Sequence, residues 1–212
     1  MINEVSPTDG RIELTTPGHI DLTGWTLADA DDELVYQLPG TGVEPEWGGV
    51  LQTGEYLVIH LLPDDTTDTP GRDVYPHTGT VLGVTGDALR LLDASGAGVD
   101  FVRYGDSAAE PPLGTAWTGN NPSAPGPGRS LGRDQLSSDT DDGADWEETG
   151  GADAASPTPG WGNHDADIIS FHPGWNLFSV CRENVCTPTM LFSDYSGDGV
   201  GSVKSGWLWR WT

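Results

Sequence analysis

The chain has 212 residues, with 33 acidic residues against 9 basic ones and a formal net charge of −24. So negative a chain repels nucleic acid, no apolar run reaches the roughly 18–20 residues of a membrane helix, and two cysteines build neither a disulfide-dense scaffold nor a four-cysteine zinc site. Nine tryptophans argue against a disordered chain despite 30 glycines and 16 prolines. Aspartate dominates, 23 to 10 over glutamate. An acidic solvated surface accounts for this. A salty or calcium-containing surrounding that screens or neutralises the self-repulsion accounts for it too. The excess fits an exported, extracellular or cell-surface protein better than a cytosolic one, although no signal segment opens the chain.

Short apolar runs separated by turn residues follow from the start. Ile2 to Val5 precedes Ser6-Pro7-Thr8-Asp9-Gly10, and Arg11 to Leu14 precedes Thr15-Thr16-Pro17-Gly18. Ile20 to Leu27 alternates apolar and polar residues, with Gly24 as a bulge or bend. Leu34 to Leu38 stops at Pro39-Gly40, and Tyr56 to Leu62 is the most apolar run. Ala88 to Leu92 and Val99 to Tyr104 flank a hairpin connection at Asp93-Ala94-Ser95-Gly96. This is the pattern of a β-sandwich or barrel. Residues 105 to 163 are rich in Gly, Pro, Ser and Asp but carry Trp117, Trp146 and Trp161, so ordered loops with one or two late strands are expected there.

Residues 164 to 212 hold four of the nine tryptophans. Trp207, Trp209 and Trp211 alternate, so a strand would present all three on one face. A segment of about 50 residues buries little surface alone. Together with Trp175, these residues therefore pack on the chain's own sandwich, on another copy, or on sugar rings. Tryptophan is enriched at interface hot spots, and an alternating terminal segment can add as a strand to a neighbour's sheet edge.

Two acidic loops carry calcium-like spacing, since calcium takes six to eight oxygens. In the first, Asp139, Asp141, Asp142 and Asp145 surround Gly143, and the alternative is that they shape the loop before Trp146. In the second, Asp194 and Asp198 fall at positions 1 and 5 of an EF-hand spacing, but position 12 is Ser205 and no helices flank it, which favours a tight Gly-rich turn. Cys181 and Cys186 close a small loop if oxidised, or stay as free buried thiols. The five histidines have no metal-helix spacing and are expected at the polar surface; Asp31-Asp32 and Asp64-Asp65 are expected to be solvated. There is no Gly-x-Ser-x-Gly elbow, and the chain is expected not to be an enzyme.

In order, Ile2-Asn3-Glu4-Val5, Ile12-Glu13-Leu14, Ile20-Asp21-Leu22-Thr23-Gly24-Trp25-Thr26-Leu27 and Gly54-Glu55-Tyr56-Leu57-Val58-Ile59 form one series. Gly86 to Asp93, Val99 to Gly105, Ser130-Leu131-Gly132-Arg133, Asp145-Trp146 and Pro157 to Asn163 continue it. Over residues 1–163 this series resembles a lamin-tail domain of the bacterial and archaeal type. The resemblance implies an all-β, immunoglobulin-like sandwich. It also implies that Trp25 fills the core and that Asp100 and Arg103 pair or orient loops at its rim. Stretches 39–53 and 63–80 are longer than the pattern and suit partner-binding surface loops. More loosely, Gly174-Trp175-Asn176-Leu177 resembles the opening of a small β module found at the ends of exported microbial proteins. The expected organisation is a sandwich over 1–163 and a Trp-rich β appendage over 164–212. The expected function is an exported structural or adhesive module contacting a protein partner or copies of itself, including assembly into a surface layer or filament. The alternative is a calcium-dependent module that binds polysaccharide, or an accessory part of a larger exported protein.

Overall fold

A computed structural model describes residues 1–30, 34–38, 48–66, 69, 71–76, 78–134, 137–149, 160 and 163. These lie within Met1–Ala166. The strands are β1 (Ile2–Ser6), β2 (Arg11–Thr15), β3 (Ile20–Asp21), β4 (Thr26–Ala28), β5 (Leu34–Gln37) and β6 (Val50–Leu51). They continue with β7 (Tyr56–His60), β8 (Arg72–Val74), β9 (Gly86–Leu92), β10 (Gly98–Gly105), β11 (Ser130–Gly132) and β12 (Glu147–Thr149). One 3₁₀ turn, Gly143–Asp145, precedes β12. Among the described residues no helix is long and apolar enough to cross a membrane.

The strands form a six-stranded sheet, β12-β11-β1-β2-β7-β8, a four-stranded sheet, β10-β9-β4-β5, and a small β3-β6 pair. All pairings are antiparallel except β7 with β8, a parallel edge contact that strand patterning did not suggest. The core follows from period-two alternation. Ile12, Leu14, Leu57 and Ile59 of the larger sheet pack in one cluster with Leu27, Leu89, Leu91, Val102 and Tyr104 of the smaller. Burying one such leucine contributes roughly 1.5–3 kcal/mol, so this shared interior holds the two sheets face to face. The fold is the expected all-β, immunoglobulin-like sandwich.

Two local expectations change. Ile20 to Leu27 is not one strand but two, β3 and β4, separated by a turn in which the Trp25 amide donates to Leu22 O at 3.0 Å. Gly24 there has φ of +82°, a conformation L side chains rarely adopt, so the bend depends on glycine. The bend also turns Trp25 off the strand. It is only partly buried and packs against the core, while Leu22 and Leu27 occupy the interior. Among the described residues, the deeply buried tryptophan is Trp146, at 4% exposure.

The outward faces of both sheets are also covered in part. On β10, Phe101 is buried and meets Trp117 edge-on at 5.7 Å, while Arg103 lies 5.9 Å over the same ring. On the larger sheet the outward residues Glu4, Glu13, Val58, His60 and Ser130 are all buried. Polar and charged groups must therefore find partners inside the protein.

Candidate functional site

A dense charged constellation sits where β1, β10 and β11 meet. Arg133 follows β11 directly and is 3% exposed, and Asp100 of β10 is 2% exposed. The guanidinium donates to Asp100 Oδ1 at 3.1 Å, to Ile2 O at 2.9 Å and to Ser138 O at 3.0 Å. It also contacts Asp139 Oδ1 at 2.9 Å and Asp145 Oδ2 at 3.6 Å, and lies 4.6 Å over the Trp146 ring. Asp100 in turn accepts the Ile2 amide at 2.6 Å and the Phe101 amide at 2.7 Å. Burial pushes the Asp100 carboxyl up and Arg133 pulls it back down. Planar, always charged and able to donate five hydrogen bonds, arginine suits such a buried hub.

Of the two expected roles for Asp100 and Arg103, to pair or to orient loops, the pairing is not what forms. The partner of Asp100 is Arg133, 33 positions away, whereas Arg103 donates to Ala109 O at 2.9 Å and covers Trp117.

The first acidic loop is placed by the same hub. Asp139 and Asp145 face Arg133. Asp145 also accepts the Thr140 amide and hydroxyl, each at 2.7 Å. Asp142 caps the 3₁₀ turn by accepting the Ala144 amide at 2.9 Å, and accepts the Thr118 hydroxyl at 2.6 Å. Those bonds, the hydroxyl first, hold the Asp142 carboxyl below the usual carboxylate range. Asp141 has a left-handed φ of 57°, and its backbone carbonyl accepts the Thr118 amide at 2.7 Å. The carboxylates of Asp139, Asp142 and Asp145 therefore serve the loop's own turns and Arg133, while Asp141 contributes backbone. Among the described residues no three His, Cys, Asp or Glu side chains are grouped to hold a metal ion. Asp194, Asp198, Cys181, Cys186, Trp175, Trp207, Trp209 and Trp211 lie outside the described residues.

A second constellation was not visible in the sequence. His60 is fully buried, not at the polar surface. Its Nδ1 is 2.9 Å from Asp65 Oδ2 and its Nε2 is 2.8 Å from Asp73 Oδ1, with Tyr75 stacked at 4.4 Å. Arg11 closes on Asp65 at 2.8 Å, and Thr69 donates to Asp73 at 2.9 Å. Asp65 is thus turned inward rather than solvated, while Asp64 beside it is exposed. Geometrically the group ties the β7–β8 connection to the sheet. The signal that could have found it is that His60 continues the outward row Tyr56, Val58, and that row is covered in this fold.

A family model described as Lamin Tail Domain matches residues 1–106. The chain belongs to the Lamin Tail Domain family. This is a non-enzymatic, immunoglobulin-like fold, and it is the family expected from the ordered motifs. No curated protein matches the chain significantly. The matched span ends just after β10, yet the sandwich continues. β11 pairs with β1 through Val5 and Leu131, and β12 extends the sheet from β11. Arg133, which neutralises the buried Asp100, also comes from beyond the match. Strands β11 and β12 and Arg133 therefore complete the sheets that the matched span begins.

Proposed function

We propose that this lamin-tail protein is a non-catalytic, extracellular structural or adhesive module that works by protein–protein contact and self-assembles through residues 164–212. The observation that carries the reading is a sandwich of a non-enzymatic family whose buried charged groups, at Arg133 and at His60, are engaged in holding loops to strands. Chemistry at such groups would break the fold. Contact is then the work of the surface and of residues 164–212, whose sequence carries Trp175, Trp207, Trp209 and Trp211. Exposed apolar residues on the sandwich support a contact role as well: Leu113 is 95% exposed and Val81 is 73% exposed.

The test is molar mass by light scattering across protein concentration for the full chain, in calcium and in chelator. It is repeated for the full chain with Trp207, Trp209 and Trp211 all changed to Ala. Mass that grows with concentration in the parent and stays fixed in the variant supports self-assembly through the C-terminal segment. A fixed monomer mass for both, with tryptophan fluorescence that shifts on adding a glycan, would replace it with the carbohydrate-binding reading.

A further inference from the structure

The outward face of the larger sheet brings two acids together with no evident use in contact. Glu4 of β1 and Glu13 of β2 are directly opposite each other in the register. They are 3% and 1% exposed, which is rare for glutamate. Like charges directly opposite on a sheet repel, and burial magnifies the repulsion by lowering the local dielectric. Glu13 Oε1 accepts the Asn3 amide group at 2.7 Å, and its Oε2 accepts the backbone N–H of Gly160. Ser130 Oγ bonds both Glu4 and the Thr149 hydroxyl.

The charged groups around Glu13 come from every neighbouring strand. Arg11, on its own strand, is committed to Asp65, and His60 on β7 lies between Asp65 and Asp73. Tyr56 and Val58 are the other outward residues of β7, and Asn163 reaches the same patch by donating to Asn3 O at 3.0 Å. Among the described residues, the charge that acts on Glu13 is therefore that of Glu4.

We propose that Glu4 and Glu13 form a proton-sharing carboxyl pair, so that the folded sandwich keeps a proton here which the unfolded chain would release. Burial first, and Glu4 second, raise the Glu13 carboxyl well above the usual range; the bonds from Asn3 and Gly160 only partly oppose this. The sign follows by linkage. Where the folded state binds the extra proton, stability falls as pH rises. The contribution is fully present below the ordinary glutamate range and is lost as pH climbs through the raised value. The pair is thus a device that loosens in alkali rather than in acid.

The test is thermal unfolding of the full chain from mildly acidic to alkaline pH, for the parent and for E13Q and E4Q. Gln keeps the shape and removes the shared proton. The expected result is a melting temperature that falls with pH in the parent and falls less steeply in each variant. General repulsion from the net charge of −24 acts nearly alike on all three, so parallel curves would overturn the proposal. Infrared difference spectra of the parent need no variant. A protonated-carboxyl band that persists above the ordinary glutamate range and vanishes in alkali is expected; its absence would overturn the proposal even if both variants failed to fold.

Discussion

Two buried acidic regions of the sandwich solve one problem in opposite ways. At the junction of β1, β10 and β11, Asp100, Asp139 and Asp145 converge on one guanidinium, that of Arg133. On the outward face of the larger sheet, Glu4 and Glu13 are set against each other across two strands. The first region gains attraction in a low dielectric. The second reduces repulsion by holding a proton. An acid-rich sequence can thus bury carboxylates either by importing a cation or by giving up a charge.

The comparison is broken most severely at Arg133. R133M should destabilise the fold by about 3–5 kcal/mol, because it leaves buried carboxylates uncompensated. Urea unfolding at neutral pH reads this directly. The loss should shrink when the same variant is measured in acid, where Asp100 can protonate.

His60 sharpens it next. H60L removes the group between Asp65 and Asp73 and should cost about 2–3 kcal/mol, the worth of a hydrogen bond to a charged partner plus its desolvation. Hydrogen exchange should show the loss concentrated at β7 and β8, not at β10. At the small end, Arg129 and Glu148 form an ion pair at the surface, 41% and 34% exposed. E148Q should change stability by less than about 1 kcal/mol, because solvent and salt screen such pairs. A large effect there would mean that the surface acids, and not the buried ones, govern stability.

Much of the architecture was legible because it is local. Alternation and turn residues locate β1, β2, β7, β9 and β10 closely, and the Asp93 hairpin forms as expected, with Asp93 Oδ1 accepting the Ser95 amide at 2.8 Å. The lamin-tail motifs also placed Ser130 to Arg133 and Asp145-Trp146 in the fold. The partners were not legible. Asp100 and Arg103 are three apart in sequence, but the pleat and the burial of Arg133 favour a partner 33 positions away. The lamin-tail resemblance implied that Trp25 fills the core. The left-handed turn at Gly24 breaks the alternation and moves it to the edge, while Trp146 fills the interior under Arg133. His60 read as a surface residue because nothing local reveals that the outward face of its sheet is covered. The acidic loop at 139–145 was legible as a loop, but the cation it faces is supplied by a residue outside it.

The central claim is that the buried acids of this lamin-tail sandwich are architectural, with Asp100 and Arg133 acting as one unit. A double-mutant cycle of D100N, R133M and the pair, read by urea unfolding at neutral pH, tests it most directly. The account predicts that D100N recovers part of the R133M loss, with a coupling of about 1–3 kcal/mol. Effects that simply add, within about 0.5 kcal/mol, would contradict it.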